Sequence, residues 1–154
     1  MFRTLKLACV LVLSSAFVVV QGHAQVPGCT TAQANRAEFE TTRIQTWDAL
    51  HKWYQTYRRC DDGSIGEGIS EDVARSLVDH WKTLTRLDDL ASEDARFKRF
   101  VIKHVDATLL VTDVEKIERN ARAKCPAELT GICSDLKKKA RSTLKELAPP
   151  AANN

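Results

Sequence analysis

The sequence predicts an all-α domain, a compact bundle of about five helices stapled by disulfides. Apolar residues recur at three- and four-residue spacing in successive segments, and no segment alternates as a strand would. A serine or threonine precedes each of these segments, where its side chain would satisfy free N–H groups at a helix start. Glycines cluster in only one place, between the first two of these segments, and act there as a turn signal.

The first helix is predicted from residue 31 to about Arg58. Thr30 and Gln33 match a capping box at its start. Large apolar side chains share one broad face and are interpreted as core: Phe39, Trp47, Leu50, Trp53, Tyr54 and Tyr57. Thr41 and Thr42 form a weak point, because β-branched residues favour helix less.

Four further helices are predicted to start at Ser70, Ser92, Thr112 and Ser134. Thr112 with Glu115 forms a second capping box for the fourth helix. This helix should end at Cys125-Pro126, because proline disfavours helix in the residue before it. Pro149-Pro150 should end the last helix. The run Lys137-Lys138-Lys139 on it is interpreted as a solvated face.

A glycine-rich stretch, residues 60–70, is predicted to turn the chain between the first two helices. Gly63, Gly66 and Gly68 are structural turn candidates that supply positive φ. An EF-hand register is rejected, since with Gly63 at the sixth loop position Ile69 replaces the bidentate carboxylate at the twelfth.

Residues 1–24 have the pattern of a cleaved signal peptide, with a basic start, the apolar run Leu7 to Val20 and small residues at Gly22-His23-Ala24. A single helical domain over residues 25–148 and a disordered tail over 149–154 follow, with no membrane span after cleavage. The leader carries two of the 23 basic residues and none of the 20 acidic ones, so the net charge falls from +3 to +1. This near-neutral balance argues against a nucleic-acid partner. The expected location is the periplasm or the outside of the cell.

Four cysteines remain after cleavage, and export favours two disulfides among Cys29, Cys60, Cys125 and Cys133 over a zinc site. A straight helix over 31–58 would be about 40 Å long and would keep Cys29 from Cys60. That geometry favours two connectivities: Cys29–Cys125 with Cys60–Cys133, or Cys29–Cys133 with Cys60–Cys125. Local closure of Cys125 with Cys133 slightly favours the third connectivity. In it, either a break near Thr41-Thr42 returns Cys29 to Cys60, or both of these cysteines remain free thiols.

The acidic side chains of the glycine stretch are candidates for a partner-facing surface, namely Asp61, Asp62 and Glu67. We expect no catalytic residue, metal or cofactor. The alternative is a metal-binding protein or metal-dependent enzyme that uses the carboxylates of residues 61–71 with His104. His104 lies beside an apolar face, where a histidine is more often a packed side chain.

Together, Cys60-Asp61-Asp62-Gly63-x-Ile65-x-Glu67-Gly68-x-Ser70, Phe97-x-x-Phe100-Val101-x-x-His104-x-Asp106 and the cysteines at 125 and 133 resemble a group of small exported proteobacterial helical proteins of unknown function. In size, compartment and architecture the chain is also similar to the type VI amidase immunity proteins. The first resemblance covers roughly residues 47–140 and implies no activity.

These observations predict an exported, non-enzymatic binding protein, an immunity or inhibitor protein that acts on a toxin or hydrolase. Its expected partner is another envelope protein. A structural envelope protein is a third hypothesis, which co-purification with the membrane or cell wall would favour.

Overall fold

The structure, a computed structural model, describes residues 28–149, which form seven α-helices and no strand. The helices are α1 (Thr31–Thr41), α2 (Trp47–Tyr57), α3 (Gly63–Asp79), α4 (Leu84–Glu93), α5 (Ala95–Lys103), α6 (Val111–Ala123) and α7 (Thr130–Leu147). Short 3₁₀ turns lie at Arg58–Cys60, Trp81–Thr83 and Ala127–Leu129. The all-α fold class is confirmed. The predicted signal peptide and residues 150–154 lie outside the described residues.

The first predicted helix is divided in two at residues 42–46. Ile44 in this linker is 4% exposed and packs into the core, which requires the chain to leave the helical path. Thr46 then starts α2, because its Oγ1 accepts a hydrogen bond from the N–H of Ala49 at 3.2 Å. The break follows the Thr41-Thr42 weak point directly, and α1 itself begins with the predicted Thr30–Gln33 capping box.

Four predicted helix starts are wrong, and local competition explains two of them. Helix α3 begins at Gly63 because Asp62 already occupies its N-cap position, which leaves Ser70 inside the helix. Asp94 caps α5 through the N–H groups of its first turn. The other predicted starts, Ser92, Thr112 and Ser134, lie in the last turn of α4 and inside α6 and α7.

The core contains most of the predicted aromatic stripe. Trp47, Leu50, Trp53 and Tyr54 are each at most 5% exposed, whereas Phe39 is 51% exposed. The buried indole of Trp53 also forms a hydrogen bond, since its Nε1 donates to the carbonyl of Ala37 at 3.0 Å. This bond links α2 to α1. Helix α1 buries only one residue, Ala37, so it depends on such links.

Helices α6 and α7 form a hairpin that closes the bundle. Buried polar side chains link this hairpin to its neighbours, since Asn120 Nδ2 donates to the carbonyl of Leu77 at 3.2 Å and Thr143 Oγ1 to that of Val105 at 2.6 Å. Within residues 28–149 no helix is long and apolar enough to cross a membrane.

The two disulfides are Cys29–Cys60, with Cα atoms 5.1 Å apart, and Cys125–Cys133, at 6.0 Å. This is the connectivity that the sequence slightly favoured. The break between α1 and α2 makes the first bond possible by bringing Cys29 back to the end of α2. The second bond closes the α6–α7 turn.

Removal of the long-range disulfide should destabilise the protein more than removal of the local one. The bonds span 31 and 8 residues of sequence. The loop-entropy model then gives about 4 kcal/mol for the first and about 2.5 kcal/mol for the second. Urea unfolding of Cys29→Ser/Cys60→Ser and of Cys125→Ser/Cys133→Ser measures the difference. Equal losses, or a peptide linking Cys60 to Cys125 or Cys133 after non-reducing digestion, would contradict this arrangement.

Candidate functional site

Four polar side chains from separate parts of the chain meet inside the bundle: Asp61, Ser70, His104 and Asp106. We call them the buried polar cluster. Asp61 directly precedes the N-cap of α3, and Ser70 lies on the buried side of that helix. His104 is the C-cap of α5, and Asp106 follows in the loop to α6.

His104 is the centre of the cluster. Its side chain is 2% exposed, and the Phe100 ring packs edge-on against it with centroids 4.5 Å apart. Nδ1 lies 2.9 Å from Ser70 Oγ, and Nε2 lies 3.3 Å from Asp61 Oδ2. Both ring nitrogens therefore have a partner, as a buried imidazole requires.

Ser70 extends the chain of hydrogen bonds to a second carboxylate. Its hydroxyl lies 3.0 Å from Asp106 Oδ2 and 3.1 Å from the carbonyl of Gly66. Asp106 in turn accepts a hydrogen bond at 3.0 Å from the backbone N–H of Thr108. The cluster thus joins α3, the end of α5 and the loop after it.

The residue types match a Ser–His–Asp hydrolase triad, but the arrangement does not suit that chemistry. A nucleophilic serine needs an Oγ that a substrate carbonyl can approach. Ser70 is 1% exposed, and its Oγ already lies within hydrogen-bond distance of three protein groups. The geometry is that of a structural network in which every side chain has a partner, and networks of this kind rigidify a core. One atom is left over, since Asp61 Oδ1 accepts no hydrogen bond among the described residues.

Asp61 connects the buried cluster to the surface. Its carboxylate is 7% exposed and accepts a hydrogen bond from Lys103 Nζ at 2.8 Å. Burial alone would raise the pKa of the Asp61 carboxyl, but the hydrogen bonds and positive charges of His104 and Lys103 together lower it below the ordinary value. The ionised carboxylate is therefore the form that the folded protein stabilises, and this stability is lost as the pH falls through the lowered pKa.

This position corrects the prediction of Asp61 as a partner-facing residue, because its carboxylate is used inside the fold. Asp62 is exposed but caps α3, with Oδ1 2.9 Å from the N–H of Gly63. Only Glu67 of the predicted set stands exposed on the outer side of α3, one turn before Glu71.

The predicted glycine turn is also only partly correct. Gly63 has a φ of +53°, as expected, but Gly66 and Gly68 lie inside α3 with no positive φ. A Cβ on Gly66 would lie 3.2 Å from Asp61 Oδ1, so that the Asp61 side chain would have to shift by a few tenths of an ångström. A Cβ on Gly68 would meet only Thr41 Oγ1, at 3.9 Å.

Of the residues in the metal hypothesis, only Asp61 and His104 come together. Glu67 and Glu71 are exposed on α3, while His104 is buried against Asp61. Among residues 28–149 no group of three or more His, Cys, Asp or Glu side chains is placed to hold a metal ion.

A second buried carboxylate, Asp72, lies on α3 beside Arg75. Asp72 is 5% exposed, and Oδ1 pairs with Arg75 Nη2 at 2.8 Å. Its Oδ2 has no hydrogen-bond partner among the described residues. Burial raises the pKa of the Asp72 carboxyl to about 6, although the Arg75 charge acts against this.

An exposed apolar surface adjoins the outer side of α3. We call it the Leu110 face and define it by Leu110 and Val111, which are 71% and 45% exposed. Beside them a groove of about 440 Å³ runs between α3 and the start of α6, with Glu71 and Asp113 among its lining residues. Sequence reasoning missed this surface, because a short Leu-Val pair before a helix reads as the beginning of its apolar face.

Comparison of the chain with protein-family models, curated proteins and solved structures gives no significant match. The function is therefore argued from these sites alone.

The three glycines should respond differently to alanine. Gly66→Ala should be about 1–2 kcal/mol less stable than Gly68→Ala, because its Cβ lies against the Asp61 carboxylate, whose charged hydrogen bonds must adjust. Gly63→Ala should cost about 1 kcal/mol through its positive φ. Gly68→Ala should raise stability by up to about 1 kcal/mol, since alanine favours a helix interior. Urea unfolding measures all three, and a Gly68→Ala loss equal to that of Gly66→Ala would refute the role of Asp61.

Asp72 should make the protein less stable as the pH rises. The folded pKa of this acid exceeds its unfolded value of about 3.9, so the protonated form is the one that the folded state favours. The free energy of unfolding therefore falls as the pH rises from about 4 through about 6, and the loss is complete above that pH. Asp72→Asn should therefore gain about 1–3 kcal/mol relative to the wild type between pH 4.5 and pH 8, at about 1.4 kcal/mol per pKa unit. Urea unfolding at several pH values tests this, and a pH-independent difference would contradict it.

Proposed function

We propose that this chain is an exported, non-enzymatic binding protein, an inhibitor or immunity protein that blocks a toxin or hydrolase of the cell envelope through its Leu110 face. The observation that carries the proposal is the exposure of Leu110, at 71%, beside a groove lined by Glu71, Asp79 and Asp113. Arg75 also lines this groove, but its charge is paired with the buried Asp72. The two disulfides support the exported location, since such bonds persist in oxidising compartments.

Leu110 contributes little to the fold that carries it. It occupies the N-cap position of α6 and makes no side-chain capping bond there. Leucine is a poor N-cap, and a serine or aspartate at this position is typically better by about 1 kcal/mol. A residue that is both exposed and locally unfavourable is what a stability–function trade-off produces, and this supports a binding role.

The charges around Leu110 indicate the chemistry of the partner. Neither Glu71 nor Asp113 has an ion-pair partner among residues 28–149, whereas Asp79 in the same groove pairs with Lys116 at 3.3 Å. An apolar centre with an acidic rim suits a folded protein that presents an apolar pocket with a basic rim. Glu67, one turn before Glu71, extends the acidic rim.

The loop that presents Leu110 is held at several points. The Ser70–Asp106 and Thr108–Asp106 hydrogen bonds fix its first half, and Thr143 binds the carbonyl of Val105. A surface that is already ordered loses little conformational entropy on binding, which favours tight inhibition. The internal pairing of the buried polar cluster supports a binding role over a catalytic one.

Leu110→Ser should weaken binding of the partner without loss of stability. The serine removes the apolar centre and supplies a better N-cap, so the melting temperature should stay equal or rise while the affinity falls at least tenfold. Affinity capture from envelope extract, with quantitative mass spectrometry, identifies proteins retained by the wild type and lost by the variant. The purified partner's hydrolytic activity is then measured with and without stoichiometric protein.

Phe39→Ser is the matched control, because Phe39 is another large hydrophobic residue, 51% exposed, outside the Leu110 groove. It should keep both capture and inhibition. The proposal fails if the captured protein binds Leu110→Ser as well as the wild type, or if its activity is not inhibited.

A further inference from the structure

A basic groove of about 510 Å³ lies between α5 and α7 and is lined by five cationic side chains. Lys98, Arg99 and Lys103 come from α5, and Lys138 and Lys139 from α7. Lys138 and Lys139 belong to the run of lysines at 137–139 that the sequence interprets as a solvated face, and here they meet a second basic wall. Tertiary packing brings the two rows together across 35 or more residues of sequence.

Two of these cations have internal partners and three do not. Lys98 Nζ pairs with Asp135 at 2.6 Å, and Lys103 Nζ with Asp61 at 2.8 Å. Within residues 28–149, no acidic side chain forms an ion pair with Arg99, Lys138 or Lys139. Like charges held close together repel each other, so an anion that enters the groove relieves this repulsion.

We propose that this α5–α7 groove is a binding site for a soluble organic diphosphate. Each phosphate group carries about −1.5 to −2 charges at neutral pH, so two such groups match three unpaired cations. Arg99 offers a planar fork of donors for phosphate oxygens, and the two lysines act as point charges on the opposite wall.

The groove also has room for the organic part. Its volume lies in the range of small-molecule sites, and Ile102 provides an apolar surface among the cations. A membrane surface suits it less well. Interfacial binding depends on apolar side chains that insert between lipids. The exposed large hydrophobics of the described residues, Phe39, Leu110 and Val111, are not part of the groove.

Isothermal titration calorimetry with inorganic pyrophosphate tests the proposal. The wild type should bind one pyrophosphate per chain, more tightly than it binds orthophosphate and less tightly as salt is raised. Lys138→Gln/Lys139→Gln should weaken binding at least tenfold, and Arg99→Gln on the other wall at least threefold, because each removes a charge-assisted contact. Lys82→Gln/Lys145→Gln removes the same charge from exposed positions outside the groove and should change the affinity less than twofold.

Absence of pyrophosphate binding by the wild type overturns the proposal. Equal weakening in the Lys82/Lys145 control does so as well, because it would show a non-specific charge effect. Lipid headgroups are the other source of phosphate. Sedimentation with vesicles made of equal parts phosphatidylglycerol and phosphatidylcholine tests whether the groove binds them. Groove-dependent sedimentation that pyrophosphate does not compete away would assign the groove to a lipid surface and overturn the soluble ligand. Melting curves of all variants confirm that each is folded.

Discussion

The structure depends on a single ionised carboxylate, that of Asp61, at the junction of three helices. The residue before it carries the Cys29–Cys60 disulfide, and the residue after it caps α3. Its Oδ2 accepts hydrogen bonds from both His104 and Lys103 at the end of α5. A buried carboxylate without such partners costs several kcal/mol, so the position of α5 relative to α3 is fixed by the need to pair it. On the α3 side, Gly66 leaves room for the Asp61 carboxylate, because a Cβ at this position would lie 3.2 Å from Oδ1.

The fold class and much of the core were accessible from the sequence because apolar periodicity reports burial directly. Helix boundaries were less accessible, because serine and threonine serve as caps only when no better local arrangement competes. Asp62 and Asp94 won that competition at α3 and α5. The sequence indicates the break between α1 and α2 only as a weak point at Thr41-Thr42, because the burial of Ile44 that requires it is tertiary information. Thr46 with Asp48 in the first turn of α2 is a further cap signal in the sequence.

The buried polar cluster was only half predictable. Its members were noticed as separate features, Asp61 as an acidic surface residue and His104 as a packed histidine. Sequence spacing cannot show that Ser70, 34 residues from His104, supplies the partner of Nδ1. The same limit applies to the α5–α7 groove, where each basic residue has the pattern of an ordinary solvated position. Only packing of the two helices reveals that the charges face one another.

The two proposed surfaces share one support. Leu110 ends the loop that begins at His104, and that loop is held by Ser70 through Asp106. Lys103, on the edge of the basic groove, is held by Asp61, which also pairs with His104. The buried network therefore sets the position of a binding loop on one side and of a cation on the other. A change inside it, such as Gly66→Ala, is expected to reach both surfaces at once, whereas Leu110→Ser and Lys138→Gln/Lys139→Gln each act on one. This difference separates a scaffold effect from loss of a contact at either surface.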